Sequence, residues 1–120
     1  MGYWVNVKES CNLAYGDNVY QLDEGWNLIG WLGHHDHVGD NPDVTTGLAS
    51  LGDKLVVVYG FDNGAWTVYN PSWPAGANTL NALYQSMGYW INVSEACDLT
   101  YGANTYHLDA GWNLIGWVGW

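Results

Sequence analysis

The densest group of potential metal ligands lies between residues 33 and 43, which read Gly-His-His-Asp-His-Val-Gly-Asp-Asn-Pro-Asp. Histidine and carboxylate side chains together suit Zn²⁺, Ni²⁺ or Cu²⁺, whereas carboxylates with an amide oxygen suit Ca²⁺. The candidate ligands of a divalent metal are His35, Asp36, His37 and Asp40. The alternative is a solvated loop, because the run lacks the helical histidine spacings that mark metal enzymes. Apart from this loop, we expect no cofactor.

Aromatic residues are the second group that could bind a ligand, since the chain has nine Trp, nine Tyr and one Phe. Flat indole faces can stack on sugar rings while nearby Asn and Asp side chains bond the hydroxyls. Trp73, with Tyr69 and Trp66, is the candidate ligand-binding group because Trp73 lies in an Asn-Pro-Ser-Trp-Pro loop. Four other tryptophans are expected in the core instead: Trp4, Trp26, Trp90 and Trp112.

Motifs of covalent catalysis are missing from the sequence, which has no nucleophile elbow, phosphate loop or dinucleotide fingerprint. Two pairs of acids, Glu9 with Glu95 and Asp23 with Asp109, could in principle serve glycoside hydrolysis. Their placement in turns favours loop capping and solubility. We therefore predict a protein that is not an enzyme.

The charge of the chain restricts its partners. Twelve acidic residues face two lysines, giving a formal net charge of −10. This charge repels phosphate backbones, so nucleic-acid binding is not expected. Apolar runs are far shorter than the roughly twenty residues that span a bilayer, and no basic segment precedes an apolar one at the start. We expect neither membrane insertion nor an export signal.

An internal duplication organises the chain. Residues 1–34 (copy 1) and residues 87–120 (copy 2) are identical at 23 of 34 positions without a gap. We expect one β domain, residues 1–120, in which residues 35–86 form a unique middle. The copies either pair within one molecule as pseudo-symmetric halves, or a copy completes a neighbouring chain. The second arrangement gives a homo-oligomer, either a swapped dimer or something larger.

Cys11 and Cys97 occupy equivalent positions in the two copies. Pseudo-two-fold packing could join them in a disulfide, provided that their Cα atoms approach within about 7 Å. The alternative is two small buried thiols.

Alternating apolar residues and Gly-Asp-Asn turns predict many short strands. The strands are expected at residues 2–7, 12–15, 18–22 and 25–31 with their copy 2 equivalents, and at 54–59 and 65–69 around an Asp-Asn-Gly turn. Residues 44–51, behind a possible Asp43 cap, and residues 79–85 favour short helices. The predicted fold class is all-β, a sandwich or barrel of short antiparallel strands with one or two short helices in the middle.

The repeated pattern, Gly-Tyr-Trp-Val/Ile-Asn-Val followed by Leu-x-Tyr-Gly and Tyr-x-Leu-Asp-x-Gly-Trp-Asn-Leu-Ile-Gly-Trp, resembles a β-rich module of secreted and cell-surface proteins of archaea and bacteria. The match is clearest around Trp26 and Trp112. The resemblance implies an accessory domain at the cell surface or outside the cell, without a catalytic motif. It also implies that a complete module begins near Tyr20 and ends near Gly102, which leaves half a module at each end.

These features predict a structural or interaction module that self-associates through its repeated strands. The alternative is a small carbohydrate- or ligand-binding protein that uses the loop aromatics.

Overall fold

A computed structural model describes residues 1–32 and 41–119. Copy 1 forms four strands: β1 (Gly2–Val7), β2 (Cys11–Tyr15), β3 (Asn18–Leu22) and β4 (Gly25–Gly30). The middle forms a short helix α1 (Val44–Gly47), a 3₁₀ segment (Ala49–Lys54), β5 (Leu55–Asp62), β6 (Ala65–Tyr69) and a 3₁₀ turn (Ala75–Ala77). Copy 2 repeats the first four as β7 (Gly88–Val93), β8 (Cys97–Tyr101), β9 (Asn104–Leu108) and β10 (Gly111–Gly116). The prediction of an all-β fold of short antiparallel strands is confirmed.

Each copy contains the same two antiparallel pairs, an inner pair and an outer hairpin. In copy 1 these are β1 with β4 and β2 with β3, and in copy 2 they are β7 with β10 and β8 with β9. The middle hairpin then adds to copy 2, giving a four-stranded sheet in the order β10-β7-β5-β6. Copy 2 and the middle therefore form the main sheet, and copy 1 packs against it.

A side-chain clamp explains the repeated Asp-x-Gly-Trp-Asn segment. The Asn27 side chain accepts from the Asp23 N–H at 2.9 Å and donates to the carbonyls of Asp23 and Gly25. Asn113 makes the same bonds with Asp109 and Gly111. Both glycines have positive φ, +94° and +95°, which other residues rarely adopt. The clamp thus holds the tight turn that leads into β4 and β10.

The two inner pairs cross at their glycine-rich ends. Equivalent residues meet there: a Cβ on Gly30 would lie 2.7 Å from the Cα of Gly116 and 2.7 Å from the Met87 carbonyl oxygen. A Cβ on Gly116 would lie 2.7 Å from the Cα of Gly30 and 2.6 Å from the Met1 carbonyl oxygen. Such reciprocal contacts relate the crossing inner pairs by a pseudo-two-fold axis, and the two copies therefore touch within one molecule at these glycines.

The main core lies on one face of the four-stranded sheet. Val58, Ile91 and Ile115 project from the strands into this core, and α1, the 3₁₀ segment and the chain before β7 cover it with Val44, Leu48, Leu51, Leu80 and Leu83. Copy 1 has a separate small cluster of Tyr20, Leu22 and Ile29 with the half-buried Val5, Val7 and Leu13.

Of the two predicted helices, the first is partly formed and the second is not formed. Residues 44–51 contain α1 and the start of the 3₁₀ segment, although the side chain of Asp43 makes no capping bond. The helix predicted at residues 79–85 is wrong. The N–H groups of Thr79 and Leu80 bond to the Val68 carbonyl, and the Leu83 N–H bonds to the Pro42 carbonyl. These bonds to neighbouring segments replace helical bonds while still directing Leu80 and Leu83 into the core.

Candidate functional site

The two copies have the same local structure around their last tryptophan. Trp31 stacks on Tyr20 with ring centroids 5.6 Å apart and planes at 7°, and Trp117 stacks on Tyr106 at 5.8 Å and 9°. The Tyr20 hydroxyl accepts from the Leu32 N–H at 2.7 Å, and the Tyr106 hydroxyl accepts from the Val118 N–H at 3.0 Å. Burial of Tyr106 raises the pKa of its phenol. The copies can therefore be compared residue by residue.

Among residues 1–32 and 41–119, the equivalent side chains of the two copies differ in burial, and those of copy 2 are the covered ones. Trp117 is 0% exposed, whereas Trp31 is 38% exposed. Tyr89 is 2% exposed, whereas its equivalent Tyr3 is 48% exposed. The cover of copy 2 includes α1, since Val44 of α1 and Trp117 belong to the same buried cluster and a Cβ on Gly47 would lie 3.4 Å from the Trp117 ring. Copy 1 thus presents core-type side chains to solvent, and we call this surface the open face: Tyr3, Val5, Val7, Leu13 and Trp31.

One edge of β1 is also open among the described strands. β7 pairs with β10 on one side and with β5 on the other, through partners such as Val58 with Ile91 and Tyr59 with Trp90. Its equivalent β1 pairs with β4 alone. The strand reads Gly-Tyr-Trp-Val-Asn-Val and lacks the charges and prolines that usually protect an edge.

A second surface, the aromatic groove, runs between the two copies. Its residues come from copy 1, the middle and copy 2: Trp4, Trp26, Tyr59, Phe61, Trp66, Trp90 and Trp112. The Trp4 ring lies 6.1 Å from Trp26, 5.2 Å from Phe61 and 5.6 Å from Trp66, measured between centroids. Tyr59 continues the contacts, at 6.2 Å from Trp66 and 5.8 Å from Trp112. The groove is therefore one continuous aromatic surface.

Strand register explains how the groove forms. Directly opposed residues share a face of a β-sheet. Trp4 opposes Leu28, and Trp90 opposes Leu114. Leu28 packs over Gly88 and Leu114 packs over Gly2 at the crossing of the copies. The tryptophan-bearing faces of the two copies therefore meet at these glycines.

The expectation that Trp4, Trp26, Trp90 and Trp112 lie in the core is wrong. Trp26 is 56% exposed and Trp112 is 51% exposed, while Trp4 and Trp90 are half-buried. The alternation in residues 88–93 places Trp90 and Asn92 on the face opposite Tyr89, Ile91 and Val93, and in the structure the second group faces the core.

The three predicted ligand-binding residues do not form one site. Trp66 lies in the aromatic groove, but Tyr69 faces the other side of the sheet and packs on the main core. Trp73 is exposed in the turn after β6, where its N–H bonds to the Asn70 carbonyl. Of the groove residues, the sequence therefore predicted Trp66 as ligand-binding and missed six others: Trp4, Trp26, Tyr59, Phe61, Trp90 and Trp112.

The predicted metal ligands, His35, Asp36, His37 and Asp40, lie outside the described residues. Within residues 1–32 and 41–119, no group of three or more His, Cys, Asp or Glu side chains is placed to hold a metal. The fourth histidine, His107, pairs with Asp98 on the surface at 2.8 Å.

Cys11 and Cys97 are free thiols in the structure, so the predicted disulfide is not formed. They begin β2 and β8 in the outer hairpins, whereas the glycines at the pseudo-two-fold axis end the inner pairs. The alternative of two buried thiols also fails, because Cys11 is exposed and Cys97 is half-buried.

The paired acids serve the fold and the surface. Glu95 lies 3.7 Å from Lys54 in an exposed ion pair, and the backbones of Asp23 and Asp109 hold the asparagine clamps. Among the described residues, Tyr89 has a strongly shifted pKa, because burial of its phenol raises the pKa well above the usual range. Its hydroxyl accepts from the Tyr84 N–H at 2.8 Å.

None of the described helices is both long and apolar enough to cross a membrane. Comparison of the chain with protein-family models, curated proteins and solved structures finds no match.

Proposed function

We propose that the protein is a non-enzymatic interaction module that self-associates through copy 1. The observation that carries this proposal is the difference between equivalent residues, since Tyr3 is half exposed whereas Tyr89 is buried. The open face keeps the apolar residues of a core, identical to copy 2 or exchanged only between Val and Ile. Burial of such side chains stabilises an assembly by about 25 cal/mol per Å² removed from water.

The open edge of β1 would orient the partner strand, because backbone hydrogen bonds are directional. Its outer N–H and C=O groups can pair with another strand, as those of β7 pair with β5. Side chains of an added strand would then lie beside Tyr3, Val5 and Val7. A strand added at this edge would therefore pair with the backbone of β1 and bury the apolar side chains of the open face at the same time.

The partner in this proposal is the β1 strand of a second copy of the chain. Each chain has two copies of the repeat but one middle, so exchange of the middle between chains would always leave one copy open. Antiparallel pairing of β1 with β1 closes both open edges at once. The resulting order is β4-β1-β1-β4, and the contact is isologous, which limits the assembly to a dimer.

A charge on the open face tests this proposal. Tyr3→Lys places a charged side chain from each chain on the apolar contact, which we expect to raise the dissociation constant by about tenfold or more. The matched control is Tyr84→Lys, since Tyr84 is exposed to a similar extent but lies outside copy 1. Sedimentation velocity of both variants at several concentrations measures the effect. Equal dissociation constants for the two variants would contradict the proposal.

A further inference from the structure

We infer that the aromatic groove binds a neutral oligosaccharide, with one sugar-stacking station on each copy. This inference does not rest on self-association, because the groove and the open face lie on opposite faces of the β1–β4 pair. Trp4 and Trp26 belong to the groove, whereas Tyr3 and Val5 alternate to the other side.

Each station combines an exposed indole with an amide. Trp26 lies directly opposite Asn6 across β4 and β1, and Trp112 lies directly opposite Asn92 across β10 and β7. Opposed residues have Cβ atoms about 4.5–5.5 Å apart on the same face of the sheet. Each indole therefore has an amide side chain directly opposite it on the neighbouring strand and on the same face of the sheet.

The two station asparagines differ from the two clamp asparagines. Asn27 and Asn113 use both ends of their side chains in bonds to the backbone. Asn6 and Asn92 are identical in the two copies, yet their side chains form no hydrogen bond with the described residues. Their donors and acceptors are thus available for a ligand, because an amide offers two donors and one acceptor oxygen.

The chemistry of the lining selects a neutral ligand with an apolar face. The described residues that line the groove are aromatic, and the neighbouring Asn6 and Asn92 are neutral, so no described charged side chain in the lining fixes an anion or a cation. The net charge of −10 opposes anionic polymers. A neutral sugar has C–H faces that stack on indole and hydroxyl groups that bond to amides.

The size of the groove suits a chain of sugars more than a single one. Its copy 1 part, with Trp4 and Trp26, is an open depression of about 410 Å³, and its copy 2 part, with Trp90 and Trp112, is an open depression of about 770 Å³. Trp66 lines both parts and joins them. Two linked stations strengthen the binding of a repeating ligand over that of its monomer.

The test is titration of the full chain with neutral hexasaccharides of β-1,4-linked glucose, N-acetylglucosamine and xylose, followed by calorimetry and tryptophan fluorescence. We expect at least one to bind, and to bind at least about tenfold more tightly than its disaccharide. Trp26→Ala and Trp112→Ala should each weaken binding by about tenfold. Asn6→Ala and Asn92→Ala should weaken it less, by a few-fold. Trp73→Ala, which changes an exposed tryptophan outside the groove, should have no effect.

The inference is overturned if no hexasaccharide binds at millimolar concentration, or if Trp73→Ala weakens binding as much as the groove variants do. Circular dichroism of each variant checks that the fold is retained, which we expect because Trp26 and Trp112 are more than half exposed. Tyr3→Lys should keep full sugar affinity. Failure of sugar binding with intact self-association would overturn this inference alone, and the reverse result would overturn only the proposed function.

Discussion

Trp31 and Trp117 occupy the same position in the two copies and stack on equivalent tyrosines, yet Trp117 is fully buried and Trp31 is exposed to solvent. The difference comes from residues 41–86, the described part of the middle, which cover Trp117 in copy 2 but leave Trp31 in copy 1 exposed. Val44 of α1 belongs to the same buried cluster as Trp117, and β5 pairs with β7. One sequence motif thus forms a completed core in copy 2 and an uncovered one in copy 1.

This relationship predicts unequal effects of the same substitution. Trp117→Ala removes a fully buried side chain and should lower the free energy of unfolding by about 3–5 kcal/mol. Trp31→Ala should cost about 2 kcal/mol or less, because part of that side chain is already in water. Urea unfolding at a concentration where the chain is monomeric measures both values. Equal losses of unfolding free energy would contradict this difference, because they would mean that Trp31 is as well covered in solution as Trp117.

The crossing of the two copies predicts a strict requirement for glycine at the axis. Gly30→Ala or Gly116→Ala would place a methyl group within 2.7 Å of backbone atoms in the other copy. Such overpacking should lower the melting temperature and cost about 1–3 kcal/mol. Gly76→Ala is the matched control, since a Cβ there meets no atom within 4 Å. A crossing that tolerates alanine at both axis positions would mean that the copies do not touch as described.

Much of the local structure could be predicted because it depends on short-range chemistry. The turn at Asn63 and Gly64 has two positive φ angles, +52° and +76°, which Asn-Gly adopts readily. Alternation of residues in the flanking strands then fixes the hairpin. The false helix at residues 79–85 shows the limit, because the spacing of Leu80 and Leu83 fits a helical face as well as this extended segment.

The functional surfaces were harder to predict, for two physical reasons. Both faces of β7 are rich in apolar side chains, with Tyr89 on one and Trp90 on the other, so alternation alone does not say which face is buried. The two copies are also nearly identical in sequence, so nothing in their residues says which one the middle covers. That choice is made by tertiary pairing of β5 with β7.

The burial of Tyr89 predicts loss of stability at alkaline pH. The pKa of the Tyr89 phenol is raised by burial in the folded state, while an unfolded tyrosine has a pKa near 10. Above about pH 10 the unfolded chain therefore loses its proton first, and the free energy of unfolding falls as pH rises. Denaturant unfolding between pH 8 and 11.5, compared with Tyr89→Phe, measures this fall. The variant should show a smaller decline, and an unchanged decline would assign it to other groups.

Charge repulsion predicts how self-association responds to salt. Each chain carries a formal net charge of −10, so two chains repel each other at low ionic strength. Raising salt from about 20 mM to about 500 mM shortens the screening length and should tighten the dimer. Sedimentation at both salt concentrations gives the dissociation constants. Weaker association at high salt would point to ion pairs at the contact rather than to the apolar open face.

The most direct test of the central claim is the mass of the intact chain in solution, measured by light scattering with size separation from about 1 µM to 1 mM. We expect a rise from the mass of one chain to that of two, with no further growth, because pairing of β1 with β1 closes on itself. A mass of one chain at every concentration would contradict self-association through copy 1. Continued growth beyond two chains would contradict the closed β1 contact.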